Sequence, residues 1–444
     1  MKLATGTSNL LLAASAAIGA IGGAQERPAA DGATFAPRAM VVSSSHIAAA
    51  AGTEVMKAGG NAIDAAVATG FALAVAYPEA GNIGGGGYMV IRMADGRAAA
   101  LDYREMAPRS SFRDMFVDSA GKLTNYSVAG RSASGVPGAV AGLLAAHRRF
   151  GALPLAKVMA PAIRLAEEGL TVDSALSRSL DGKAAVLKEF AGSRLFFPGG
   201  KALAPGARLV QPELAATLRR IEREGEGGFY KGKTAAAIVA EMSRGCPAGV
   251  SARARASHGC GLITGADLAA YKPVWRTPLN TSFRGYTLLS MPPSSSGGVT
   301  VGESLNILDG FPRLPAFGTA EYIHLVASAF QRAFIDRNEL LGDPAFVKVP
   351  IARLTSVEHA AMLRATIGKD KATPTPSLPP AVREGMETTH YSVVDAAGNA
   401  VSTTTTLNGL YGSGVYVDGG GFFLNNEMDD FASQPGQQNM FGLV

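Results

Sequence analysis

Residues 61–77 of this chain read NAIDAAVATGFALAVAY, a helix-length stretch with a single charge, at Asp64. A helix with no polar face cannot lie on a surface; it has to be covered on every side. The remaining elements must therefore wrap around this one, and an apolar content of 47% is ample for the core this requires. A first helical stretch from residue 45 is broken from it at Gly59-Gly60. Downstream, the run Gly84 to Gly87 turns the chain into two strands joined by Asp95-Gly96. Residues 137–190 and 211–243 show amphipathic spacing with charged faces, which predicts surface helices. YTLLSMPPSSSGGVT, residues 286–300, predicts a strand, a turn and the start of another buried helix. A long amphipathic helix follows over residues 320–343, and the Pro-rich residues 371–387 read as a linker.

Several function classes drop out on charge and motif context. The balance of 41 basic against 36 acidic residues leaves +5, with no concentrated basic stripe, so no nucleic-acid partner is expected. GGFYKGKT, Gly227 to Thr234, fits the phosphate-loop pattern, but a charged amphipathic helix precedes it where that loop needs a buried strand. The Gly84 to Gly87 run precedes a strand instead of a helix, so it is no dinucleotide fingerprint, and no G-x-S-x-G elbow occurs. The six histidines show no ligand spacing, and no metal is expected. Lys2, the apolar run Leu10–Ile21 and the small residues ending at Ala24 form the pattern of a secretory signal, residues 1–24. The expected location is periplasmic or secreted, with no membrane span in the mature protein. In that oxidising setting Cys246 and Cys260, which bracket a polar segment read as an exposed loop, are candidates for a disulfide.

The chemistry candidate lies just past the linker. In TTHYSVVDAAGNAVSTTTTLNG, residues 388–409, two β-rich runs (His390 to Asp395, Ala400 to Leu407) flank a turn and form a hairpin crowded with threonine. Threonine suits strands, so propensity alone could account for this. A second reading is chemical. A threonine hydroxyl becomes a useful nucleophile when the residue is first in its chain, because its own α-amine can take the proton. Cutting the peptide between Glu387 and Thr388 would create that situation where the linker tolerates a break.

TTHYSVVDAAGNAVSTTTTLN together with LNNEMDDF (Leu424 to Phe431) closely resembles the γ-glutamyltranspeptidase family of N-terminal nucleophile hydrolases. GGNAIDAAVA (Gly59 to Ala68), GNIGGGGYMVIR, LDYREMAP (Leu101 to Pro108), MPPSSSGG (Met291 to Gly298) and LGDPAFVKVP (Leu341 to Pro350) resemble it too, in the same order. The resemblance runs from about residue 36 to the end, interrupted by the Cys246–Cys260 segment. It implies an α+β fold, a four-layer αββα sandwich with two antiparallel sheets between helical layers, incomplete at the C-terminal end. It further implies a precursor that cuts itself between Glu387 and Thr388 into large and small subunits, residues 25–387 and 388–444. Thr388 would then attack a γ-glutamyl compound such as glutathione and pass the acyl group to water, an amino acid or a dipeptide, without a cofactor. Thr406 falls where the family places a hydroxyl that supports the nucleophile. Arg104 matches the arginine that grips the substrate α-carboxylate, a task suited to a guanidinium fork. Asn408, Glu427 and Asp430 match the residues that hold the α-ammonium, and Asp429 reads as structural.

The chain departs from the family pattern at its end. A small subunit of residues 388–444 would be several times shorter than the family's. It would lack the paired serines that contact the glutamyl carboxylate and the paired glycines of the oxyanion hole. On that reading this product is expected to be poorly soluble, mainly uncut and inactive. Two alternatives stand beside the transferase: a related acylase acting on another amide, such as a glutaryl side chain or poly-γ-glutamate, and a non-catalytic exported binding protein. Arg104 together with Glu427 and Asp430 argues for a free amino-acid head group and against glutaryl.

Overall fold

Asn61 starts the apolar helix. Its side chain accepts from the amides of Ile63 and Asp64 at 2.9 and 3.0 Å, while Asp64 Oδ2 accepts in return from Asn61 N at 3.0 Å. The same carboxylate oxygen takes the amides of Ala152 and Leu153, so the one charge of the stretch is spent on backbone donors. The helix α2 (Ala62–Ala76) is buried from Ala62 through Val75. It packs on α1 (His46–Lys57), α3 (Ala139–Phe150), α4 (Leu155–Glu168) and one face of the main sheet.

The computed structural model describes residues 34–190, 194–374 and 388–431, and the described residues from Arg38 onward belong to one unit. The expected signal segment 1–24 and Glu387 lie outside the described residues. Ten strands are described: β1 Met40–Val42, β2 Gly86–Arg92, β3 Ala98–Asp102, β4 Leu170–Thr171, β5 Arg208–Leu209, β6 Val274–Arg276, β7 Leu279–Phe283, β8 Tyr286–Ser290, β9 Thr388–Val394 and β10 Ala400–Thr406. Six of them form an antiparallel sheet in the order β1-β9-β10-β2-β3-β6; β4 pairs with β5 and β7 with β8. The threonine hairpin is therefore interior to the sheet, between β1 and β2. Its alternation sends Thr389, Tyr391, Val393, Val401, Thr403 and Thr405 into the core. The opposite face carries Thr388, His390, Ser392, Ser402 and Thr404.

Two expectations need correction. Residues 139–146 lie in α3, and all are buried, not on a surface. The reason is local: AVAGLLAA has no polar face, and the basic residues of the helix (His147, Arg148, Arg149) sit together in its last turn. The polar segment between the cysteines is not all loop; Ser251 caps a short helix, Ala252–Ser257, through the amide of Ala254. A disulfide joins Cys246 to Cys260. Beside the hairpin β7–β8 the helices Gly297–Asp309, Ala320–Leu340 and Val357–Ala365 gather on an apolar cluster of their own, centred on Ile307, Leu325, Ala329 and Ala360, and the short helix Ile351–Leu354 packs against the first and last of them. Gly227–Tyr230 is a short helix following the helix Pro212–Glu224, so the phosphate-loop pattern has no strand before it here either.

Candidate active site

Antiparallel register sets Thr388 directly opposite Thr406, and Thr406 opposite Gly86 on β2. The two hydroxyls lie 3.2 Å apart, and Thr406 Oγ1 also accepts the amide of Asn408 at 2.8 Å. Thr388 is exposed whereas Thr406 is buried, so the first hydroxyl is open to attack on a substrate while the second is fixed from behind. Asn408 takes φ +72°, a left-handed conformation that Asn tolerates better than most residues. That turn leads Gly409 N to Asn426 Oδ1 at 2.8 Å, and Asn408 Nδ2 to the carbonyl of Asn426 at 2.9 Å.

The glycine run explains how the second wall comes so close. A Cβ on Gly85 would collide with the carbonyl of Thr406, and one on Gly86 would press on the Glu105 carboxylate at 2.6 Å. Only hydrogen at these positions lets β2 lie against both the end of β10 and the loop after β3. Arg104 and Glu105 follow β3 after Tyr103. Arg104 Nη2 donates to Glu427 and to Asp430 Oδ2 (2.5 Å), with Nη1 3.7 Å from Glu105 Oε2. The Tyr88 ring lies under the guanidinium, 5.7 Å from its centroid. Asp102 pairs instead with Arg276 at 2.8 Å.

One guanidinium thus faces three carboxylates, Glu105, Glu427 and Asp430. Burial pushes the Glu105 carboxyl up to about 7, against the pull of Arg104, and Asp430 adds to the rise. Burial likewise pushes Glu427 well above the ordinary range, more than Arg104 offsets. Both oxygens of Glu105 and Oε2 of Glu427 have no hydrogen-bond partner among the described residues. Such a cluster favours uptake of positive charge, and its arginine suits a carboxylate: the complement of an amino-acid head group.

The structure therefore brings Arg104, Glu427 and Asp430 into one ion-pair cluster, and Thr388, Thr406 and Asn408 into one hydrogen-bonded turn. Asp429 accepts from Ser127 Oγ at 2.9 Å. Three residues escaped the sequence reading. Glu105 has its side chain buried beside Arg104. Asn82 donates to the carbonyl of Thr406 at 2.9 Å and accepts the amide of Gly85 at 2.8 Å. Asn425 bridges Gly84 O and Gly135 O, and accepts the amides of Gly135 and Glu427. Their available signal was position: each lies inside or beside a motif already singled out.

A sequence-family model described as gamma-glutamyltranspeptidase matches residues 48–444. A glutathione hydrolase proenzyme of Pseudomonas sp. (strain A14) is 44% identical over 418 residues, covering 92% of this chain and 70% of that protein. The crystal structure of Helicobacter pylori gamma-glutamyltranspeptidase superposes with a TM-score of 0.72 at 37% identity, covering 80% of this chain and 99% of the other. A cephalosporin acylase from Bacillus halodurans superposes with a TM-score of 0.78 at 30% identity, covering 96% of this chain and 76% of the other.

Proposed function

The chain belongs to the γ-glutamyltranspeptidase family, and on that premise we propose that it is a self-cleaving γ-glutamyl transferase and hydrolase. The observation that carries the reading is the pair Thr388–Thr406 at 3.2 Å beside a cluster of one arginine and three carboxylates. Cleavage between Glu387 and Thr388 divides the precursor into a piece ending at Glu387 and a piece beginning at Thr388, and frees the Thr388 amine. That amine accepts the proton of the Thr388 hydroxyl as its oxygen attacks the γ-carbonyl of glutathione or a related γ-glutamyl compound; the γ-amide C–N bond then breaks, the leaving nitrogen departs as a free amine carrying that proton, and the γ-glutamyl group stays on Thr388 Oγ1 as an ester. Thr406 holds the hydroxyl on line. The donor's α-carboxylate takes the guanidinium of Arg104, while Glu427, Asp430 and Asn408 receive its α-ammonium. Water or the amine of an amino acid or dipeptide then removes the acyl group from Thr388. No helix among the described residues is long and apolar enough to cross a membrane. Export to the periplasm or the medium follows from the signal pattern of residues 1–24.

Incubation of the protein extended to the length of its relatives with γ-glutamyl-p-nitroanilide, with and without glycylglycine, tests this. Nitroaniline release stimulated by the acceptor is the expected result, and a Thr388→Ala variant should give none. Likeness to a cephalosporin acylase keeps an amide without the amino group as the second reading. The acceptors Glu427, Asp430 and Asn408 weigh against it, because a side chain lacking an ammonium offers them no donor. Faster cleavage of a glutaryl anilide than of the γ-glutamyl one would reverse that preference.

A further inference from the structure

We propose that Glu303, Asp336 and His359 bind one divalent cation of the first transition row, with Zn²⁺ the best match, and that this ion clasps three helices away from the threonine site. The ligands come from the helices Gly297–Asp309, Ala320–Leu340 and Val357–Ala365. Their donor atoms all lie within 4.8 Å of one another. His359 Nε2 stands 2.6 Å from Asp336 Oδ2 and 3.6 Å from Glu303 Oε1.

Glu303 supplies the independent argument. It is 0% exposed, and neither carboxylate oxygen has a hydrogen-bond partner among the described residues. Burial and then the neighbouring Asp336 raise its carboxyl, and Arg353 pulls the other way without forming an ion pair among the described residues. His359 Nδ1 has no partner there either, so the ring's polar engagement is confined to the two carboxylates. A proton shared with Asp336 would relieve one of the two carboxyls, whereas a bound cation would satisfy both and the imidazole together. Zinc bound at about 2.0–2.2 Å by nitrogen and oxygen in a tetrahedron holds its ligands roughly 3.4 Å from each other. The separations of 2.6 and 3.6 Å bracket that figure, so rotamer adjustments of about 1 Å close the site.

The donor set selects the class. One imidazole with two carboxylates suits Zn²⁺ or Mn²⁺, whereas Ca²⁺ and Mg²⁺ prefer oxygen alone. Sequence spacing missed the cluster because no two of its members share a helix turn. Coordination would tie together a helical group whose own apolar cluster is small, which gives the ion a structural part.

The experiment uses the full chain, stripped with EDTA and titrated with ZnCl₂ by calorimetry, alongside thermal unfolding with and without the metal. One equivalent of Zn²⁺ and a raised melting temperature are expected. Glu303→Gln keeps the shape of the side chain and should weaken binding about 100-fold, as should His359→Gln. Circular dichroism confirms that each variant is folded. Should one of them fail to fold, the other and the visible spectrum of the Co²⁺-loaded full chain still report the ligand set. Absence of Zn²⁺ binding by the full chain overturns the site. So does an unchanged affinity in the folded variants, which places the ion elsewhere. Tighter binding of Ca²⁺ than of Zn²⁺ overturns the assigned class.

Discussion

Thr406 serves two donors at once, the Thr388 hydroxyl and the Asn408 amide, and this makes its hydroxyl separable from its bulk. Thr406→Val keeps the shape and removes the acceptor. It should slow both self-cleavage and turnover of the chromogenic donor by about 10²-fold, while Thr406→Ser restores most of each rate. Equal rates in all three proteins would leave Thr406 with a packing role only. Arg104→Lys replaces a fork by a single ammonium and should raise the donor's Michaelis constant about 10–100-fold with self-cleavage intact. Glu105 offers a test by pH. Its carboxyl is raised to about 7, so the folded state holds a proton that the unfolded chain gives up near the ordinary Glu value. The resulting stability is complete below about 4.5, declines as pH rises, and is gone above about 7. Glu105→Gln should therefore gain stability over the unliganded parent as pH goes from 5 to 8 in urea titrations. A parallel pH dependence in the two proteins would mean that Glu105 titrates normally. The two threonines and Arg104 were legible in the sequence because each stands in a long motif. The mutual pairing of Arg104 with Glu427 and Asp430 was not, since it joins groups separated by most of the chain.

Among the elements, the threonine hairpin was readable to within two residues at each end, because alternation and a four-residue turn are local signals. Its anchoring was not. Asp395 accepts the amides of Ala397 and Asn399 and the Asn399 side chain within the turn, then reaches out to the amide of Ala62, the first residue of α2. Burial alone would raise this carboxyl, but the hydrogen bonds outweigh it and hold the group below its ordinary value. Its contribution is thus present above the usual Asp range and lost as pH falls through the lowered value. Asp395→Ala should cost about 3 kcal/mol at neutral pH and less in acid, by chemical denaturation. The same loss at every pH would show that the charge does not matter. For the Cys246–Cys260 bridge, the double Cys→Ser variant should be about 3 kcal/mol less stable, and reductant should bring the parent to the same level. The helix α3 was misplaced on the surface for a reason that generalises: a window judged amphipathic as a whole can hold a helix buried over its first eight residues when that helix carries its own charges in the last turn.

On the scale of the whole molecule, the order β1-β9-β10-β2-β3-β6 could not be read from the chain, because β9 and β10 pair with strands more than three hundred residues earlier. That order has a consequence for a cut before Thr388. The piece beginning there donates two interior strands, bonded on one side to β1 and on the other along the whole of β2. Its inward side chains, Tyr391, Val393, Val401 and Leu407, belong to the same apolar core as α2, and its Phe422, Phe423 and Leu424 extend that core. Withdrawing it would expose two sheet edges and much of the central apolar surface at once, far more than the loss of one peptide bond can release. The two pieces should therefore behave as one particle after cleavage. A protease site placed in the Pro-rich residues 375–387 of Thr388→Ala makes the cut independent of self-processing. The cut protein should co-elute as a single native peak and separate into two bands only in denaturant. Two native peaks would mean that the hairpin is held far less firmly than its place in the sheet requires.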